Sequence, residues 1–473
     1  MQYKKKLVGI IFLLIVSFHL SINPSQQNRN PYRDIEHPIQ LTKEQMKNDL
    51  GYLQKVITEV HPKTYGGVPP EIQQALQKAD REIEQIDNVL QFYFLTQQVM
   101  NALHDGHTTM QIPDGPRMDN LPFSYAWLED GIYVTSSSGW LHRGDKVIEF
   151  GGKNEQELLT MFRAFFSVDN VYSLKSRVNL NSIFTLLPYL QYFGLIEGNQ
   201  VQLVVERGNE VIEGKLQMKK MLKFASPYLT RDRLDYTISK EDDLAVLYID
   251  SFAALDETTK SVIRDFFIDV KREQVNHVAI DLRFNPGGTT LVENYIMSFL
   301  NVDSYRDFKT LNRYSTFTSQ YTYDFPFGTE EMQSLDSGMI SIPSHEYSFN
   351  GKIYVITSFQ TYSAATNFAV NIYDNNLGLI VGEPSGSKPS SYGSIILLEL
   401  PESKLRLSIS YKWIERPYTT VKNHYEDALQ PDIYVPTTYE DLVQGRDPQL
   451  EMIKKLIREE RSRFPPITPC IFP

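Results

Sequence analysis

The sequence reads HVAIDLRFNPGG at residues 277–288 and TSFQTYSAATN at residues 357–367, and these two stretches decide the fold. In the first, a strand-like apolar run passes directly into a turn with two glycines, which leave backbone N–H groups free to face outward. Such a nest suits a negatively charged oxygen. The second stretch places Ser363 at the start of a helix. A serine there is either an ordinary N-cap or a nucleophile whose oxyanion would be held by amides of Gly287, Gly288 and Ala364.

The residues around these two stretches alternate between strand and helix patterns. Residues 244–249 (LAVLYI) are typical of a buried strand, and Asp256 is a suitable N-cap for an amphipathic helix that precedes the strand at 277–282. A strand at 351–356 and a helix at 364–375 repeat the arrangement. We therefore predict an α/β domain over residues 222–440, built from parallel crossover units.

The regions on either side have different patterns. Residues 41–112 carry apolar side chains at helical spacing and predict two or three helices. Residues 113–221 predict short strands at 131–135, 145–150 and 201–207, with a helical stretch from 155 to about 193. Residues 441–473 predict a C-terminal helix at 448–461, followed by a tail.

The first 24 residues have the layout of an export signal. Lys4, Lys5 and Lys6 precede an apolar run from Leu7 to about Ile22, which is the order found in a secretory signal or an N-terminal membrane anchor. Residues 25–40 are polar, contain proline and predict a linker. Whether the leader is a secretory signal or a membrane anchor, its lysines stay cytoplasmic. We therefore expect the rest of the chain to be extracytoplasmic, either secreted or anchored to the membrane by this segment.

Composition excludes several classes of protein. The 473 residues are 41% hydrophobic and 22% charged, which is ordinary for a globular chain and excludes a disordered or fibrous one. A net charge of −11 argues against a nucleic-acid partner. The single cysteine, Cys470, excludes an internal disulfide framework and a cysteine-based zinc cluster.

Two short motifs in the sequence do not indicate a site. Ser385 and Lys388 spell S-x-x-K, but the companion K-T-G of penicillin-binding enzymes is absent. His104 and His107 spell H-x-x-H without the glutamate of H-E-x-x-H, so metal binding is not expected. No metal and no cofactor is implied.

The ordered landmarks resemble those of a known family. The run AIDLRFNPGG (279–288) and the T-x-S-A-A helix start (361–365) are similar to motifs of the C-terminal processing, or tail-specific, serine protease family. Residues 247–252, 381–383 and 430–433 resemble its flanking elements. The resemblance implies a multidomain α/β protein with a crotonase-like (ClpP-like) catalytic domain, in which Ser363 attacks a peptide bond and forms an acyl-enzyme. Polypeptides are the implied substrates, and no cofactor is needed.

The segment LHRGDKVIEFGG (141–152) resembles the core of a PDZ domain. Residues 113–221 are therefore expected to form a PDZ-like domain with an insertion of about thirty residues at 166–195. In this family such a domain binds the C-termini of substrates by adding a strand.

The resemblance offers two bases for Ser363, and the sequence leaves both open. Lys388 lies where the serine–lysine members of the family carry their lysine, which must be neutral to act. His107, in Asp105-Gly106-His107-Thr108, lies where the tricorn-like branch carries a histidine. Glu426 would supply the glutamate with which that branch completes its site.

A second class of function also remains open. Thr366 stands where the family usually has glutamate, and the PDZ-like segment is irregular. A binding or carrier protein that keeps the protease fold without the chemistry is the alternative to an exported serine endopeptidase.

Overall fold

The computed structural model describes residues 39–113, 118–221, 231–322, 330–418 and 427–463. The mixed α/β class predicted from the sequence is confirmed. The predicted signal or anchor, Glu426 and Cys470 lie outside the described residues.

The N-terminal region is helical, as predicted. Helix α1 begins at a capping box, in which the side chains and backbone amides of Thr42 and Gln45 bond reciprocally. Its apolar positions recur every three or four residues and are buried, which is why it packs along one face. The elements are α1 (Lys43–Val60), α2 (Pro70–Glu82), α3 (Val89–Asn101) and β1 (Thr109–Met110).

The next region is a five-stranded antiparallel sheet with helices inserted between its third and fourth strands. The sheet order is β3-β4-β5-β6-β7, while β2 pairs with β8. The predicted strands at 131–135, 145–150 and 201–207 are confirmed, and the predicted helical stretch is three helices, two of which begin at capping boxes of Asn154 and Asn170. The elements are β2 (Met118–Asn120), β3 (Tyr125–Leu128), β4 (Gly131–Val134), β5 (Lys146–Phe150), α4 (Glu155–Arg163), α5 (Val171–Leu180), α6 (Leu187–Tyr192), β6 (Gln200–Arg207), β7 (Glu210–Gln217) and β8 (Lys219–Met221).

The third region contains a six-stranded sheet of order β20-β17-β16-β11-β10-β9, parallel except for β9. The predicted strands and helices of this sheet are confirmed, including the N-cap of α7 at Asp256. The elements are β9 (Leu234–Ser239), β10 (Leu244–Ile249), α7 (Glu257–Glu273), β11 (His277–Asp281), α8 (Thr290–Met297), β12 (Ser304–Arg306), β13 (Lys309–Tyr314), β14 (Glu331–Asp336), β15 (Met339–Ser341), β16 (Lys352–Thr357), α9 (Ala364–Asp374), β17 (Leu379–Gly382), β18 (Ser391–Glu399), β19 (Arg406–Glu415) and β20 (Ile433–Tyr434).

Helices cover both faces of this parallel sheet, which explains the continuous apolar runs of β10 and β11. Leu247 and its neighbours on one face pack with α7, α8 and α9. Val246 and its neighbours on the other face pack with Ile453 and Ile457 of the C-terminal helix. The last two helices are α10 (Tyr439–Gln444) and α11 (Pro448–Arg463).

A second sheet joins the N-terminal helices to the third region. Strand β19 pairs with β1, β13 and β18, and β14 extends the sheet beyond β13. The tip of the β18–β19 hairpin is held by the buried carboxylate of Asp49 on α1, which accepts the amides of Glu402 at 2.8 Å and Ser403 at 2.7 Å. The hairpin thus shares one hydrophobic core with the N-terminal helices and the five-stranded sheet, while the parallel sheet and α7–α9 enclose another.

Within the described ranges, none of the helices combines the length and the apolar character required to span a bilayer.

Candidate active site

Ser363 lies in a sharp turn between β16 and α9, at the end of the parallel sheet. It is half-buried and has φ 53° and ψ −128°, in the left-handed region that side chains other than glycine rarely adopt. Such strain costs about 1–3 kcal/mol and persists only where neighbours hold it. Ser387 Oγ accepts the Ser363 amide at 2.6 Å, and the Asn285 carbonyl accepts the amide of Tyr362 at 3.0 Å.

The glycine turn touches the serine directly. A Cβ on Gly287, whose φ is +95°, would lie 2.7 Å from Ser363 Cβ and 2.9 Å from the Ala364 nitrogen. A Cβ on Gly288 would lie 2.2 Å from the Phe252 carbonyl oxygen. The two distant sequence stretches therefore meet backbone to backbone, and only glycine fits between them.

The three amides proposed for the oxyanion differ in their bonding. The Gly287 amide donates to Asn285 Oδ1 at 2.8 Å. The amides of Gly288 and Ala364 donate to none of the described residues. Ala364 follows Ser363 in the chain, and Gly288 follows Gly287, which contacts Ser363. These two amides are available to a negatively charged oxygen.

Thr366, one turn into α9, bonds inward. It is fully buried, and its Oγ1 donates to the Thr361 carbonyl at 3.0 Å. The threonine thus ties the start of the helix to the turn that carries Ser363.

His107 lies beside the nucleophile turn. Its ring packs against Tyr362, the residue before Ser363, with centroids 4.8 Å apart. Its Nδ1 is 3.4 Å from the Tyr362 hydroxyl and 3.7 Å from Asp105 Oδ1. Its Nε2 is buried and has no hydrogen-bond partner among the described residues. A buried nitrogen without a hydrogen-bond partner destabilises a folded protein. Such a nitrogen is also available to accept a proton from a neighbouring group.

Asp105 is a fully buried carboxylate behind His107. It accepts the His107 amide at 2.9 Å, the ring of His61 at 3.3 Å and the Thr108 hydroxyl. Burial alone would raise its pKa, but the interactions with His107 and His61 outweigh burial and hold the pKa of Asp105 well below its usual range.

The same carboxylate determines the basicity of His107. Burial alone would lower the pKa of His107, but its interaction with Asp105 and the charge of Asp169 raise that pKa above the ordinary value. His107 is thus a stronger base than a free imidazole.

Asp169 comes from the insertion in the five-stranded region. Its Oδ1 accepts the Gly106 amide at 2.9 Å and its Oδ2 accepts the Tyr362 hydroxyl at 2.8 Å. Ser167 Oγ donates to the Asp105 carbonyl at 2.6 Å, and Asn170 Nδ2 donates to the Asp427 carbonyl at 2.6 Å. The insertion therefore reaches the candidate site, which sequence reasoning missed.

Lys388 lies near the site in a different environment. Its side chain is one-third exposed, and its Nζ is 3.3 Å from Asp427 Oδ1. A lysine acts as a base only through a neutral amine, which requires deep burial or cationic neighbours, and the neighbour of Lys388 is a carboxylate. The geometry thus favours His107 over Lys388 as the base, while the part assigned to Glu426 falls outside the described residues.

Over the described ranges, no group of three or more histidine, cysteine or acidic side chains is placed to hold a metal ion.

Comparison with known proteins supports the resemblance. Residues 243–435 match the family model described as Peptidase family S41. The fold is similar to that of mature CPAF, at 14% identity, a TM-score of 0.67, and coverage of 90% of this chain and 99% of that one. It is likewise similar to mature CPAF complexed with lactacystin, at 14% identity, a TM-score of 0.66, and coverage of 88% and 98%. No curated protein matches the sequence.

These matches confirm the predicted resemblance and the prediction of a serine-type peptidase. The two solved structures are too distant in sequence to carry more than the fold. The domain boundaries, the roles of the site residues and the PDZ-like identity of residues 113–221 stay predictions.

Proposed function

We propose that the chain is an exported serine endopeptidase in which Ser363 is the nucleophile and His107 is its base. One observation carries the proposal: His107, whose buried Nε2 has no hydrogen-bond partner among the described residues, packs against Tyr362, the residue before the strained Ser363. The amides of Gly288 and Ala364 likewise donate to none of the described residues. A serine hydroxyl is a weak nucleophile until a neighbouring base takes its proton.

The proposed reaction follows from these positions. His107 Nε2 takes the proton as Ser363 Oγ attacks the peptide carbonyl, and the amides of Gly288 and Ala364 stabilise the oxyanion. The buried charge of Asp105 stabilises the imidazolium that forms. His107 then gives the proton to the departing amine, and water hydrolyses the acyl-enzyme by the same route.

The test compares cleavage and covalent labelling. We expect Ser363→Ala to lower the cleavage of fluorescent casein by about 10³-fold or more and to abolish labelling by a fluorophosphonate probe. Ser261→Ala, a partly exposed serine on α7, is the matched control. Wild-type levels of cleavage and labelling in Ser363→Ala would remove the nucleophile assignment. A folded wild-type chain that neither cleaves nor reacts would support the carrier alternative.

Recognition of substrate C-termini is a further part of the proposal. Its support is the five-stranded sheet, whose edge strand β7 pairs only with β6 among the described strands. An extended peptide can add to such an edge. We expect peptides with a free C-terminus to be cleaved faster than amidated copies, and equal rates would contradict this part alone.

Export is proposed from the basic and apolar leader at residues 1–24. A fusion of this leader to a reporter that is active only outside the cytoplasm tests it. An inactive reporter with normal expression would contradict export and leave the chemistry untouched.

A further inference from the structure

A histidine base works only in one tautomer. For His107 Nε2 to accept the Ser363 proton, the ring hydrogen must sit on Nδ1. Nothing in an isolated imidazole enforces this, so a neighbouring group must accept a hydrogen bond from Nδ1. In the described part of the chain, the Tyr362 hydroxyl at 3.4 Å is nearer than Asp105 Oδ1 at 3.7 Å.

Tyr362 can accept only because its own hydrogen is already used. The hydroxyl donates to Asp169 Oδ2 at 2.8 Å, so its lone pairs are left for His107. Asp169 is only 6% exposed, and its other oxygen accepts the Gly106 amide at 2.9 Å. Both oxygens of this carboxylate therefore face donors, and the direction of each hydrogen bond is fixed.

The packing around this chain of bonds leaves little freedom. A Cβ on Gly106 would lie 2.3 Å from the Tyr362 hydroxyl oxygen and 3.1 Å from Asp169 Cγ. On either side of Asp169, Ser167 is bonded to Asp105 and Asn170 is bonded to the Asp427 carbonyl. The carboxylate is thus held in place by the inserted segment on which it lies.

We propose that Asp169, acting through the hydroxyl of Tyr362, is a positioning residue that holds His107 in the tautomer able to take the proton of Ser363. The inference rests on the proposed function and adds the inserted segment to the machinery of the same site. The Asp169 carboxylate bonds to the Gly106 amide and the Tyr362 hydroxyl rather than to Ser363, so it acts on the reaction through Tyr362 and through its charge near His107.

The titratable and charged groups around His107 come from several elements. Asp105 lies on its own loop, His61 beyond the end of α1, and Tyr362 before α9. Arg177 of α5 donates to the Gly106 carbonyl at 2.9 Å. The charge of Asp169 raises the pKa of His107 and that of Arg177 lowers it. Removing the charge of Asp169 should therefore move the acidic limb of the rate profile to lower pH.

Two substitutions distinguish a role of Asp169 in setting the tautomer of His107 from a general role in folding. In Asp169→Asn, the side-chain oxygen must still accept the Gly106 amide, so the new NH₂ group faces Tyr362. The tyrosine would then donate to His107 Nδ1 and put the ring hydrogen on Nε2, which is the wrong nitrogen. Tyr362→Phe removes the hydroxyl that accepts from His107 Nδ1 without putting a donor in its place, and it leaves Asp105 near Nδ1. Asp169→Asn should therefore be the more damaging change.

The experiment measures kcat, KM and the pH profile of both variants together with the ¹⁵N imidazole signals of His107. We expect kcat to fall about 100-fold in Asp169→Asn and about tenfold in Tyr362→Phe, with KM within about twofold. The acidic limb should move to lower pH in Asp169→Asn, whose ¹⁵N signals should report the Nε2–H form. Asp256→Asn is the matched control, because asparagine caps α7 as well as aspartate does.

The outcomes are distinguishable from failure of the proposed function. Full cleavage by Ser363→Ala would remove the nucleophile, yet the ¹⁵N signals would still report whether Asp169 sets the tautomer. If Asp169→Asn keeps the wild-type tautomer and a kcat like that of the Asp256→Asn control, the inference is overturned. If Asp169→Asn does not fold, as judged by circular dichroism, Tyr362→Phe decides: a kcat and ¹⁵N signals equal to wild type would overturn it.

Discussion

The two sides of the candidate site are built in different ways. The nucleophile side consists of backbone from two motifs on neighbouring parallel strands, β11 and β16, which meet at Gly287 and Ser363. The base side is assembled from side chains of three regions, represented by His107, Asp169 and Tyr362. On the nucleophile side, the close backbone contacts leave no room for an added atom. On the base side, the direction of the hydrogen bonds determines which nitrogen of His107 carries the hydrogen.

The largest effect is expected on the nucleophile side, from Gly287→Ala. The added Cβ would meet Ser363 Cβ at 2.7 Å, at a φ of +95° that alanine avoids. The turn must shift, so we expect cleavage to fall about 10³-fold and fluorophosphonate labelling to be lost. Gly51→Ala is the control, because a Cβ there, inside α1, meets nothing within 4 Å. Labelling at the wild-type rate would show that this side is less rigid than the structure implies.

A smaller loss is expected on the base side, from Gly106→Ala. Its Cβ would lie 2.3 Å from the Tyr362 hydroxyl oxygen, which is the end of a side chain rather than backbone. Because the end of a side chain yields more readily than backbone, we expect about a 100-fold loss of kcat with slow labelling of Ser363 retained. Complete loss of labelling in a folded variant would show that a change on the base side also disrupts the nucleophile side.

A third measurement, the pH profile of kcat/KM, identifies the base. The base must be neutral, so the rate falls as the pH drops through the pKa of His107. Because Asp105 and Asp169 raise that pKa above about 6.5, the decline should begin above this pH. We expect about a tenfold loss between pH 8 and pH 6. A rate that is flat over this range would exclude His107 as the base.

The smallest effect is expected from Lys388→Gln. The lysine is one-third exposed and paired with Asp427, and such pairs contribute little. We expect kcat/KM to stay within about threefold of wild type, with an unchanged acidic limb. His107→Gln is the comparison and should lose about 10²-fold or more. A loss of that size in Lys388→Gln would transfer the role of base to the lysine.

The sequence predicts the strands and turns around Gly287 and Ser363 well, and the side-chain contacts around His107 poorly. The buried strands at 244–249 and 277–281 are continuous apolar runs, and the glycines and Ser363 follow in motifs that local geometry requires. No such signal marks Asp169, which lies in an apparent insertion. Its bond to Tyr362 joins residues 193 positions apart, and that of Tyr362 to His107 joins residues 255 apart. Contacts at such separations arise from packing and leave no local pattern.

The placement of His107 and Ser363 beside different hydrophobic cores has a consequence for biosynthesis. In the sequence, His107 lies between Leu103 and Met110, which pack in one core. Ser363 directly precedes Ala364 and Ala365, which pack in another. A ribosome delivers the histidine some 250 residues before the serine, and domains fold as units during synthesis. Under the proposed mechanism, cleavage requires both cores to be folded and in contact. We therefore expect an unfinished chain to have no proteolytic activity.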